Sequence, residues 1–281
     1  MSRMTPQTML SKAMAAARAR EMGRPDRILN DPLAVVLAGD DGRALLELLD
    51  SLHPGDPSEI NPIAVRACFL DEILWDAANA EGGPRQVVVL SAGMDTRAFR
   101  ISWPSGTTVY EVDDAETLAE KQRLLDGDGA TPQAARVTVA GVLGGSWGEA
   151  LRKGGFDPAA PSLWVLEGVL VGLDEAGVNH TLHAVSQLAA PSSRIVLDVM
   201  GKETLGMPPL GPVLDCLEEM GVKWRFGSDE PEALLGLYGF GEVKVTQAGD
   251  AAGRYLRSDV EMPPREVPGV PREYFVTARR R

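Results

Sequence analysis

Residues 86–114, QVVVLSAGMDTRAFRISWPSGTTVYEVDD, set an apolar run, a turn of small residues and a carboxylate in that order. The run from Gln86 to Leu90 predicts a buried parallel strand, Ser91-Ala92-Gly93 the turn at its carboxyl end, and 107–112 a second strand that ends in acid. This is the first half of a nucleotide-binding α/β unit. In such units a turn glycine lets the backbone approach a ligand, and an acid about 20 positions on accepts hydrogen bonds from ribose hydroxyls. Gly93 and Asp113 stand 20 positions apart. Glu111, two residues back on the same strand face, takes that role if the strand ends earlier.

The turn departs from the dinucleotide fingerprint, because Ser91 occupies the first glycine position and Thr96 the third. A pyrophosphate needs those glycines for close backbone approach at a helix terminus. A ligand without phosphate does not, which favours S-adenosylmethionine over a dinucleotide while leaving both open.

Working outward, the pattern alternates strands and helices. Strands are expected at 136–140, 162–166, 194–198, 241–246 and 274–278, with helices at 115–125, 147–153, 174–188, 213–220 and 232–238. Such alternation requires a mostly parallel sheet covered on both faces, so the expected fold class is a Rossmann-like α/β domain with seven strands. Ahead of it, helices at 8–21, 40–52 and 61–80 precede the first strand, and the middle one ends at His53-Pro54-Gly55-Asp56-Pro57. Helices in that position serve as a lid over the crevice or as sheet cover. The chain therefore divides into a helical cap (1–80), a cofactor-binding core (81–200), a cap insertion (201–235) and carboxyl-terminal strands (236–281), all within one domain of 281 residues.

A formal charge of −12, from 28 basic and 40 acidic residues, opposes binding to nucleic acid or to an anionic membrane. The partners expected are a small-molecule substrate and a second copy of the chain in a homodimer. Cys68 and Cys216 have no metal-ligand spacing around them and read as reduced packing residues. With no apolar stretch of membrane-spanning length and no signal-peptide pattern, a cytoplasmic location is expected.

Several blocks appear in order: RPDRILNDPLA (24–34), NPIAVRACFLDEI (61–73), QVVVLSAGMDTRAFR (86–100), VYEVDDAETLAEKQRLL (109–125) and WVLEGVLVGLDEA (164–176). Together with FGSDEPEALLGLYGF (226–240), they resemble the leucine carboxyl methyltransferase family, including its bacterial polyketide O-methyltransferase branch. The resemblance implies a class I methyltransferase fold and S-adenosylmethionine as cofactor. It implies that Arg66 binds the methionyl carboxylate, that Ser91, Ala92 and Gly93 lie under the amino acid portion, that Asp113 holds the ribose, and that Glu167 contacts the cofactor. Arg20 is the counterpart of a second basic contact.

Two departures from the family pattern stand out. Its acid after the third strand, which recognises the adenine amino group, is missing from Ala140-Gly141-Val142-Leu143-Gly144-Gly145, so Gly141 and Val142 are left to hold the base by backbone and apolar contact. Its tyrosine after Glu167 is replaced by Gly172. The expected activity is O-methylation of a carboxylate or phenol on a small polyketide-like aromatic. The alternative is a relative that binds the cofactor but has lost methyl transfer. A carboxylate acceptor needs no base, whereas a phenol benefits from one. Of the histidines, His53 is the expected base, since His180 and His183 fall on a sheet-covering helix. Trp103, Trp147 and Trp224 are candidates for the wall of an aromatic pocket, with core packing as the competing role.

Overall fold

A computed structural model of the chain describes residues 4–53 and 60–281. It opens with α1 (Pro6–Met22), α2 (Ala34–Leu52) and α3 (Pro62–Asn79). Thr5 caps α1 by accepting from the Thr8 N–H at 3.1 Å, and Asn61 caps α3 in the same way through Ala64. Both helices carry proline in the first turn, where its missing N–H costs nothing. The helix expected over 40–52 begins earlier, because Gly39, at φ 57°, joins two helical pieces through a kink. Of the proline-rich turn expected at 53–57, only His53 falls within the described residues.

The alternating part follows: β1 (Gln86–Leu90), the single-turn α4 (Arg97–Arg100), β2 (Thr108–Asp113), α5 (Ala115–Asp128), β3 (Ala135–Ala140), α6 (Trp147–Lys153), β4 (Ser162–Leu166), α7 (Glu175–Leu188) and β5 (Arg194–Met200). Next come α8 (Lys202–Leu205), α9 (Gly211–Glu219), α10 (Pro231–Gly236), β6 (Phe240–Gln247), α11 (Ala248–Arg254) and β7 (Glu273–Arg280). The sequence pattern did not anticipate α11, and β7 starts one residue before the expected strand, at Glu273.

The seven strands form one sheet in the order β3-β2-β1-β4-β5-β7-β6. β1 to β5 are parallel, and β7 inserts antiparallel between β5 and β6. The order reverses between β1 and β4, so the carboxyl ends of β1, β2 and β4 open onto one crevice, where α/β sheets bind ligands.

Strand period divides the core into two faces. Val87, Val89, Val109, Leu163, Val165 and Phe275 point toward α1, α2 and α3, whereas Val88, Leu90, Tyr110, Trp164, Leu166 and Leu197 point toward α6 and α7. The link from β1 to β2 supplies only the one turn of α4, so the amino-terminal helices cover the first face. α3 packs across β4, β5 and β7. α1 does something different, being fixed over α5 by a Thr8–Thr117 hydroxyl contact of 2.6 Å and by Lys12 Nζ donating to Glu120 at 3.0 Å. The third helix is thus sheet cover, while the first is held against α5. No described helix is long and apolar enough to cross a membrane.

Candidate active site

A cavity of about 730 Å³ opens at the carboxyl ends of β1, β2, β3 and β4. That volume falls in the range of about 300–1,000 Å³ typical of small-molecule sites. Ser91, Ala92, Gly93, Arg66, Asp113, Gly141, Val142 and Glu167 all line it, so the fold brings together eight expected residues from five separate stretches of sequence.

The turn after β1 is tight, with Ser91 at φ 51° and Gly93 at φ 45°. A Cβ on Gly93 would lie 2.7 Å from Ser11 Cβ, so the glycine is what permits α1 to close over the turn. The Gly93 N–H donates to Asp113 Oδ2 at 2.6 Å, and the Asp114 N–H donates to Asp113 Oδ1 at 2.7 Å. These bonds fix the carboxylate at the cleft edge while each oxygen keeps capacity for a further donor. Burial pushes Asp113 up to about 6 despite the two N–H donors, which act in the opposite direction.

Glu111 does not share this position. β2 runs on through Asp113, and Glu111 is 0% exposed, held by Lys121 Nζ and Arg136 Nη2 at 2.8 Å each. It is a buried structural ion pair outside the cavity, which corrects its expected part in binding. His53 is likewise displaced: it caps the end of α2, where its N–H donates to Asp50 O, and it does not line the cavity. A loop residue ending a cap helix had no local signal to fix its direction. Arg20 also turns away, pairing with Asp50. The basic residue that α1 presents to the cavity is Arg18, whose Nη2 donates to Met94 O at 2.6 Å and whose Nε donates to Asp31 at 2.8 Å. Leu10, Ser11, Met14 and Arg18 share one helical face, a spacing visible in the sequence.

After β3 the cavity is lined by Gly141, Val142 and Leu143. Gly141 donates to Asp113 O at 2.9 Å, and a Cβ there would meet Trp147 Cβ at 2.7 Å. Val142, 59% exposed, and Leu143 complete that wall without an acid.

Beneath the turn lies a dense charge cluster that the sequence reading largely missed. Arg66 donates to Glu167 at 3.0 Å and to Glu273 at 3.1 Å, with Asp198 at 3.6 Å. Arg97, fully buried, donates to Asp71 and Glu167 at 2.7 Å each and also pairs with Asp95. Arg100 pairs with Asp71. With Arg18 and Asp31, four arginines face six carboxylates, a local excess of negative charge. The consequences differ by position. Although burial opposes ionisation, Arg97 and Arg66 hold Glu167 well below the usual carboxylate range. Burial pushes Glu273 up to about 7, with neighbouring Asp198 adding to the rise against the opposing pull of Arg66. Asp198 is raised as well, mainly by burial, although it accepts the Gly168 N–H at 2.6 Å. Glu273 comes from β7, 106 positions after Glu167, and only the antiparallel insertion of that strand brings the two acids to one arginine.

The remaining tryptophans separate clearly. Trp103 and Trp147 are core residues, while Trp224 is half-buried and lines the cavity next to a segment hydrogen-bonded to the turn Leu170–Gly172. Both cysteines are free thiols, and no described group of histidine, cysteine, aspartate and glutamate could hold a metal ion.

Comparisons with known proteins bear on the family and the fold. A protein of Parafrankia sp. (strain EAN1pec), whose name assigns it to the S-adenosyl-L-methionine-dependent methyltransferases, is 35% identical over 95% of this chain and 85% of its own length. A Mycolicibacterium smegmatis protein with the same assignment is 40% identical over 68% of this chain and 66% of its own. Among solved structures, a Thermobifida fusca protein assigned to the methyltransferases superposes with a TM-score of 0.62 at 21% identity, covering 95% of this chain and 94% of that one, which supports the same fold. The family model described as leucine carboxyl methyltransferase matches residues 11–186, well over half of the chain, and the protein belongs to that family.

Proposed function

We propose that the protein is an S-adenosylmethionine-dependent O-methyltransferase whose acceptor is the carboxylate of a small molecule. The observation that carries this reading is the convergence of Asp113, the Ser91–Gly93 turn, Arg66 and Glu167 on one cleft. The donor set suits the cofactor. Asp113 would accept from the ribose hydroxyls, Arg66 would take the methionyl carboxylate in a charge-assisted pair, and Glu167, kept ionised, would face the cationic portion. Gly141 and Val142 would pack the adenine. The cofactor supplies a methyl group already activated on a sulfonium.

The chain's own work is to align the acceptor and exclude water. Among the described residues no histidine, tyrosine or cysteine lines the cleft. Of the acids there, Asp95 and Glu167 pair with Arg97, Asp113 accepts from two N–H groups and Asp114 caps α5, while Glu116 is exposed in the first turn of α5. An acceptor oxygen that is already ionised needs no base, so this lining favours a carboxylate over a phenol. Trp224 at the cleft wall supports an aromatic, polyketide-like body for that acid.

Calorimetry with S-adenosylmethionine, followed by transfer of a radiolabelled methyl to a panel of carboxylic acids and phenols, tests the reading. Binding with transfer to acids is expected. Absence of cofactor binding at millimolar ligand overturns it. The acid-free loop after β3 favours one rival, a binder without transfer, and binding with no transfer to any acceptor would support that rival.

A further inference from the structure

The cavity lining extends beyond its charged floor. It includes Leu10 and Met14 of α1, Val171 and Leu173 after β4, and Val222 and Trp224 after α9. Every one of these side chains is apolar. The two loops are tied together, since the N–H groups of Arg225 and Phe226 both donate to Val171 O, at 2.7 and 3.3 Å. These bonds hold the segments that carry Trp224 and Gly172 beside each other.

Gly172 is the unusual member of this wall. It lines the cavity, yet a Cβ built on it meets nothing within 4 Å. Its backbone lies outside the left-handed region, so an L side chain is compatible with its conformation. Neither strain nor close packing calls for glycine here. The residue simply leaves open space in the cavity lining, in a segment hydrogen-bonded to the one that carries Trp224. Lys223, exposed and paired with Glu218 at 2.5 Å, also lines the cavity.

Resting on the methyltransferase reading above, we infer that Gly172 and Trp224 form the acceptor subsite, which takes the flat apolar body of an organic acid, with Gly172 setting its depth. A planar ring system fits such a slot because stacking on an indole and apolar contact with Leu10, Met14 and Val222 need no polar partner. A bulky side chain at position 172 would occupy the same volume without disturbing the fold. The missing Cβ therefore acts as a determinant of acceptor size.

The test uses the full chain saturated with S-adenosylhomocysteine, with 2-naphthoate and acetate as probes in calorimetry. Wild-type protein is expected to bind 2-naphthoate measurably and acetate far more weakly. Gly172→Leu should weaken 2-naphthoate by about tenfold or more, as expected for filling occupied space, while its affinity for S-adenosylhomocysteine stays at the wild-type value. That second measurement reports the fold and cofactor half of the cleft independently. Equal binding of 2-naphthoate by wild type and Gly172→Leu overturns the assignment. A wild-type protein that binds S-adenosylhomocysteine but not 2-naphthoate overturns the subsite and leaves the cofactor reading standing, whereas one that binds neither overturns both.

Discussion

Replacing Asp113 with asparagine should move stability and cofactor binding in opposite directions. In the ligand-free protein the carboxyl is pushed from the ordinary 3.8 up to about 6, chiefly by burial. An acid raised in the fold stabilises it fully below the unfolded value and loses that contribution as pH climbs through the folded one. Above pH 6 the ionised Asp113 therefore costs the empty protein up to about 3 kcal/mol relative to acid conditions. Asp113→Asn removes that ionisation. Its amide oxygen keeps one of the two N–H donors, from Gly93 or Asp114, and its NH₂ opposes the other, returning about 1 kcal/mol of the gain. Net stabilisation of the empty variant at alkaline pH is expected, shrinking to nothing or reversing in acid.

Binding responds the other way. Hydrogen bonds from ribose hydroxyls to an ionised carboxylate are worth about 1.5–3 kcal/mol, so the variant should bind S-adenosylmethionine about ten- to a hundredfold more weakly at neutral pH and above. In wild type, a ligand that prefers the ionised acid releases a proton, and its affinity should fall by up to about tenfold per pH unit below pH 6. Urea denaturation at several pH values gives the stability arm and calorimetry over the same range gives the affinity arm. Wild-type affinity that stays flat from acid to neutral pH, or a variant with unchanged affinity, refutes the ribose role of Asp113. A variant less stable than wild type at alkaline pH refutes the burial argument.

Gly93→Ala places a Cβ 2.7 Å from Ser11 Cβ at a residue with φ 45°, so it should destabilise the docking of α1 by at least about 1–2 kcal/mol. Faster amide exchange in α1 with an intact sheet is the expected signature, and unchanged exchange there would contradict the close packing of α1 on the turn. Lys121→Ala leaves Glu111 with Arg136 alone in a fully buried setting and should cost about 3 kcal/mol in urea denaturation. Its cofactor affinity should stay at wild type, and a large loss of affinity would return Glu111 to the binding site. Glu273, pushed up to about 7, loses its stabilising contribution as pH rises through neutrality. The stability of Glu273→Gln relative to wild type should therefore improve between pH 5 and pH 8, and a pH-independent difference would show that Glu273 ionises normally.

The alternation of strand and helix was legible because period and turn chemistry are local. Val87 to Leu90 read as a strand buried on both faces, bounded by Ser91-Ala92-Gly93 as a turn. Asp113 and Gly93 were also legible, since their 20-residue spacing reflects one crossover unit. The ordered blocks carried Arg66 and Glu167 as well. Local pattern could not say which way His53 or Arg20 faces, because a cap residue's direction depends on the helix packed against it. Glu111 was ambiguous for a related reason: strand period puts it on the same face as Asp113, and only the end of the strand separates core from cleft.

What the sequence alone determined, then, was the order of elements, the nucleotide-binding turn with its acid, and the absence of an acid after β3. What tertiary structure decided was the electrostatic floor. Arg66, Arg97, Asp198 and Glu273 come from separate elements, and the sheet order sets their distances. Charge–charge energies depend on separation and burial rather than on chain spacing. The antiparallel entry of β7, and the closure of α1 over Gly93, fix both.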